Sequence, residues 1–195
     1  MHQTVDTHIS ISISPLFFGV LAFGLLYDPN AVGVGCLLAS LLHETGHLLM
    51  IVWRGGRVKS ICIGAFGMRI ERELSLHLSF WDDVCIASGG PLMNLLWVGV
   101  CWLCGWETMC GIHMLLMLLN LLPIEALDGG EILRCILYRF LKRETVRIVL
   151  LVCSLAVVFP LGVLGFGVLI QSGYNPTLLI VDIYLILLLI FKRKD

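Results

Sequence analysis

Apolar residues run along this chain in long blocks with short polar interruptions. The blocks cover residues 11–27, 31–53, 81–105, 111–122, 146–170 and 177–191. A helix rises about 1.5 Å per residue, so some 20 apolar residues cross the ~30 Å hydrocarbon layer of a bilayer. The pattern therefore predicts an all-α polytopic membrane protein with about six transmembrane helices. Residues 54–79 break the pattern with arginines, glutamates and glycines. Within them, 58–63 and 66–73 partly alternate apolar and polar positions, which predicts a small β-hairpin between the second and third helices. Gly64-Ala65-Phe66-Gly67 would be its turn. Pro123 cuts the fourth block short, and the stretch 132–140 after it is mixed.

Composition agrees with a membrane chain. Of 195 residues, 58% are hydrophobic and 14% are charged, where a soluble domain would carry about a quarter charged. No polar stretch is long enough for a second folded domain, so 1–195 is read as one transmembrane domain. The placement of charge says more than its total. All 13 Lys and Arg fall after the second, fourth and sixth blocks, in groups of five, five and three. The positive-inside rule puts those loops, and both termini, in the cytosol. No cleavable signal peptide is expected, because the first ten residues carry no Lys or Arg. The eight cysteines lie mostly in apolar runs and read as small hydrophobes, including the Cys101-x-x-Cys104 pair inside a predicted helix.

One feature of the second block needs chemistry. His43-Glu44-Thr45-Gly46-His47 sits near its middle, with twelve residues before His43 and ten after it that belong to the same run. Ionisable groups at membrane depth are expensive and mark function. His43 and His47 are four apart and share one helix face, with Glu44 beside them. This is the H-E-x-x-H arrangement, two metal ligands and a general base. A catalytic zinc also needs a third protein ligand. The candidates are His113, Glu125, Asp128, Glu131 and Asp182. Asp128 is the best of them. It follows the break at Pro123, where irregular backbone at depth is tolerated if it lines a cavity, and Gly129-Gly130 lets the backbone turn. Its competing reading is an ordinary helix N-cap. Asn94 and Asn120 are amides at depth, with two readings: hydrogen bonds between helices, or contacts to a substrate strand or developing oxyanion. Gly89-Gly90-Pro91 reads as close helix approach or a kink.

His43–His47, Ser88-Gly89-Gly90-Pro91-Leu92-Met93-Asn94 and Asn120-Leu121-Leu122-Pro123-Ile124-Glu125-Ala126-Leu127-Asp128-Gly129-Gly130, in that order, resemble the site-2 protease family (M50) of intramembrane zinc metalloproteases. Within the family the chain is most similar to the branch of sporulation proteases. Ala126 stands where relatives often have proline, and neither a CBS nor a PDZ domain is expected. The resemblance implies one zinc per chain, held by His43, His47 and Asp128, with Glu44 as general base. It also implies Asn94 and Asn120 near the substrate. The expected partners are a transmembrane protein substrate, the lipid bilayer and a regulatory membrane protein, with no nucleic acid. The expected location is a bacterial cytoplasmic membrane. The alternative is a non-catalytic membrane metal-binding or chaperone-like protein, which retention of Glu44 argues against.

Overall fold

The computed structural model describes residues 10–15, 17, 18, 22, 32–64, 67–72, 79–173 and 175–192. Most of the expected first span, the centre of the hairpin turn and the end of the basic tail lie outside these residues. The chain divides into two compact units, Met1–Leu118 and Leu119–Asp195.

The first unit holds a three-stranded sheet and helices α1 (Val32–Trp53), α2 (Phe80–Cys104) and most of α3 (Glu107–Asn120). Strands β2 (Val58–Gly64) and β3 (Gly67–Arg72) pair antiparallel, the expected hairpin, with Ile61 opposite Ile70. The sequence did not reveal that β1 (Ser10–Ile13) adds to β2 in parallel, Ile11 opposite Ile61. The central strand is therefore β2, and β1 and β3 carry the outer edges.

The entry to α2 is capped on both sides: the Asp82 amide donates to Ser79 Oγ, and the Ser79 amide donates to Asp82 Oδ2. That satisfies two of the donors a helix start leaves unpaired. Asp82 also meets Arg54 Nε at 3.2 Å, and Arg54 Nη2 reaches Cys85 Sγ at 3.0 Å. The basic end of α1 is thus tied to the acidic start of α2, where a negative charge suits the helix dipole. Gly105, at φ 73°, closes α2 in the left-handed conformation, which costs glycine nothing. Helix α3 begins at Glu107, earlier than the expected loop to residue 111 allowed.

The second unit contains α4 (Asp128–Tyr138), α5 (Arg143–Ser172) and α6 (Thr177–Lys192). Its core gathers Ile124, Val158, Leu185 and Leu189, with Leu122, Leu127 and Leu161 packed around them. Ile124 belongs to the irregular segment between α3 and α4, so that segment is anchored as core. A second tie is polar. Fully buried Ser154 on α5 accepts from the Glu125 amide at 2.9 Å and donates to the Leu150 carbonyl at 2.7 Å.

Three described helices are long and apolar enough to cross a membrane: Val32–Trp53, Phe80–Cys104 and Arg143–Ser172. They expose many large apolar side chains, among them Leu49, Val52, Leu96, Phe159 and Val163, as lipid-facing helices must. The fourth and sixth expected spans form helices of 14 and 16 residues. At ~1.5 Å per residue, helices that short fall below the ~30 Å hydrocarbon core. The mostly helical class stands, while six full crossings do not follow from these lengths. Ser154→Ala should leave the Glu125 amide without its acceptor and destabilise the chain by about 1–3 kcal/mol, read as a lowered unfolding midpoint in detergent.

Candidate metal centre

Helices α1 and α2 cross with almost no side chain between them. A Cβ on Gly46 would strike the Gly89 carbonyl, and one on Gly89 would lie 2.6 Å from the Gly46 carbonyl oxygen. Both glycines are therefore required by backbone contact. One residue on, Gly90 faces the histidines: a Cβ there would collide with Nε2 of both His43 and His47. The glycine pair expected to permit close approach does so, and Gly90 also keeps open the space in front of the two ring nitrogens. The sequence reading had given Gly90 no such role.

His43 and His47 meet edge to face, with ring centroids 5.0 Å apart. Their Nε2 atoms converge to 3.3 Å. Two nitrogens each ~2.05 Å from a tetrahedral zinc would be about 3.3–3.4 Å apart, so the spacing suits a shared metal. His47 Nδ1 lies 2.8 Å from the Ile86 carbonyl. A carbonyl only accepts, so Nδ1 carries a proton and the neutral ring keeps its Nε2 lone pair for a metal. Such a second bond orients a metal-ligating histidine and sets its tautomer. His43 is 4% exposed, and its Nδ1 lies 2.9 Å from Asn94 Nδ2.

Asn94 is wholly buried, and its Oδ1 lies 3.1 Å from His113 Nδ1. Both ends of the amide therefore face histidines, in the helix-bridging arrangement of the first reading. His113 is also fully buried, stacked on Trp97 with centroids 6.0 Å apart and planes 13° from parallel. Of the candidate third ligands, His113 thus meets the site through Asn94. Glu44 is partly buried on α1 one residue after His43.

The other candidates lie in the second unit. Asp128 is the first residue of α4, whose N-cap is Leu127, at φ −106° and ψ 169°. Asp128 is therefore one step inside the helix, and the N-cap reading fails. Gly129 and Gly130 press against irregular backbone: side chains there would strike the carbonyls of Leu121 and Ile124. Glu131 pairs with Arg134. Asp182 is buried on α6 with Oδ2 against Gly162. Asn120 ends α3 and is partly buried. All described cysteines are free thiols, Cys101 and Cys104 among them.

The model of peptidase family M50 matches residues 101–161. The chain is 26% identical over 142 residues to "Stage IV sporulation protein FB" of Bacillus subtilis (strain 168), covering 68% of this chain and 49% of that protein. It therefore spans about half of that relative's length. In fold it is similar to the "Site-2 Protease from Methanocaldococcus jannaschii", with a TM-score of 0.66 and 18% identity over 93% of this chain and 90% of that one. Gly90→Ala should drive a methyl group into the converging nitrogens and abolish zinc uptake by the full chain. Gly99→Ala, where a Cβ meets nothing within 4 Å, should leave uptake intact; equilibrium dialysis distinguishes the two.

Proposed function

We propose that the chain is a member of peptidase family M50, to which its similarities point, and that it is a zinc-dependent intramembrane metalloprotease. It hydrolyses peptide bonds in or near transmembrane segments of membrane-protein substrates, as a step of regulated intramembrane proteolysis. The observation that carries the zinc reading is the 3.3 Å convergence of His43 and His47 Nε2 in front of Gly90. The His47 tautomer fixed by the Ile86 carbonyl supports it.

His43, His47 and Asp128 would hold the metal. Asp128 is supported by the local design of its segment. It opens α4 without serving as the N-cap, and Gly129 and Gly130 hold that helix start against backbone. When bound, zinc supplies a Lewis acid that polarises the scissile carbonyl and makes a neighbouring water acidic enough to react near neutral pH. Glu44 takes the proton from that attacking water and passes it to the departing amine. Asn94 holds His43, while Asn120 remains our candidate for contact with the substrate backbone.

A helical substrate hides its carbonyls in its own hydrogen bonds, so it must unwind to be cut. An extended segment can add to a sheet edge, which supplies main-chain hydrogen bonds. Because β1 covers one side of β2, the edge the hairpin retains is that of β3. Water and the basic loops lie on the cytosolic side by the charge rule. Both termini face the cytosol in this reading, within a bacterial cytoplasmic membrane, and a regulatory membrane partner controls access.

The competing reading, a non-catalytic membrane metal-binding or chaperone-like protein, predicts a different response at one residue. With a transmembrane substrate co-expressed, Glu44→Gln should lower cleavage by at least about 100-fold while zinc content is kept. Equal cleavage by wild type and Glu44→Gln would remove the general-base assignment. Asp128→Ala should lose zinc; unchanged zinc content would remove Asp128 from the ligand set.

A further inference from the structure

The corner between α4 and α5 gathers cations and apolar side chains within the same few residues. Arg139, Lys142, Arg143 and Arg147 are all exposed there. So are Tyr138, Leu141 and Phe140, the last at 74%. Arg134, one turn earlier on α4, is held by Glu131. Lys142, Arg143 and Arg147 have no such partner among the described residues. Glu144 is the one acidic residue in the stretch 138–147, which leaves four cations against one anion.

A face turned to water does not explain this mixture, because a phenylalanine and a leucine side by side in a turn leave apolar surface exposed at a cost. Depth in the bilayer explains it. On α5 the exposed apolar side chains begin at Ile148, 63% accessible, and continue through Val152, Leu155 and Phe159. That row marks where the hydrocarbon starts. Arg147 directly precedes it, and Arg143 lies one further turn out, ~6 Å along the axis. The headgroup layer on each side of the hydrocarbon is about 5–8 Å deep. The cations therefore stand at headgroup depth. Aromatic rings favour the same layer, with their apolar body towards the acyl chains.

We propose that the α4–α5 corner is a docking surface for anionic phospholipid: Arg139, Lys142, Arg143 and Arg147 meet the headgroup phosphates while Phe140 and Leu141 enter the acyl boundary. A zwitterionic headgroup also carries a phosphate, but its own cation offsets it. Four cations against one anion therefore select lipids of net negative charge. The apolar pair separates a lipid from a free phosphate ion or an acidic protein segment, neither of which brings an acyl chain to meet it. The surface lies wholly in the second unit and does not rest on the reading of the metal centre. It ties the far end of α4, whose first turn carries Asp128, to the bilayer.

The test uses the full chain in an uncharged detergent, titrated calorimetrically with dioctanoyl phosphatidylglycerol, dioctanoyl phosphatidylcholine, inorganic phosphate and poly-glutamate. Phosphatidylglycerol should bind at least about tenfold more tightly than phosphatidylcholine, and salt at ~0.5 M should remove that difference. The triple variant Arg139→Gln, Lys142→Gln, Arg143→Gln should weaken phosphatidylglycerol binding about 100-fold. The control variant Arg57→Gln, Lys59→Gln removes two exposed cations of a different basic loop and should keep wild-type affinity. Equal affinity for the two lipids overturns the proposal, as does wild-type affinity in the triple variant or an equal loss in the control. Inorganic phosphate binding as tightly as the lipid would assign the corner to a free anion. Tighter binding of poly-glutamate would assign it to an acidic protein segment, and either result overturns lipid docking. The comparison of the two lipids on the wild type needs no variant to fold.

Discussion

Everything at this centre depends on two backbones touching. Gly46, Gly89 and Gly90 let α1 and α2 approach until the carbonyl of each helix lies where the other's side chain would be. In lipid there is no hydrophobic force between helices, so association rests on such close packing. The crossing fixes where both histidines sit. It brings the Ile86 carbonyl to His47 Nδ1 and the Asn94 amide to His43 Nδ1, both from α2. A bulkier contact would push α2 outward and take both partners with it. The two histidines of α1 are thus aimed by its neighbour, and their own helix supplies only the spacing.

Burial makes that aim strict. In water a histidine turned to the wrong tautomer corrects itself at little cost. At a buried crossing each unpartnered donor carries its desolvation penalty, so the hydrogen bonds must agree from one residue to the next. The Ile86 carbonyl settles His47 outright, because a carbonyl can never donate. His43 is held by an amide, which can do either. The two histidines are therefore held unequally, one by a carbonyl and one by an amide, and the latter is the residue beside Glu44.

The sequence showed this site unevenly, for physical reasons. Helix spacing alone put His43 and His47 on one face, and apolar context made the motif more than chance. The hairpin showed through alternation at positions 58–63 and 66–73. Strand β1 did not, because four residues with exposed side chains on an edge leave no strong period. Asn94 was visible as an amide at depth, and its bridging reading was open. Its two partners were not legible, since His113 lies 19 positions away on another helix and nothing in the spacing says which faces meet. Pairing across helices depends on rotation about each axis, which the apolar pattern of a lipid-facing helix specifies weakly. Helix α2 is apolar nearly all round, so its buried face is marked by small residues more than by hydrophobic period.

The second unit shows why the interruption at Pro123 is more than a kink. A helix that stops at Asn120 needs new partners for its last carbonyls, of which Leu119 O finds one in the Leu122 amide, and residues 121–127 add irregular backbone in a chain that is otherwise helical and apolar here. Such backbone is tolerated at membrane depth only when protein or a water-lined cavity satisfies it. This chain satisfies it with specific parts. Ser154 accepts from Glu125, Leu127 donates to Ile124 at 2.9 Å, and Ile124 is sunk completely into the core. Two glycines then let α4 begin hard against that segment. What the break achieves is a carboxylate, Asp128, displayed at a helix start instead of on a helix side. A helix start brings amide donors and a favourable dipole to the place where that acidic side chain sits. The break therefore has a structural rationale of its own: it places the Asp128 carboxylate in the first turn of α4.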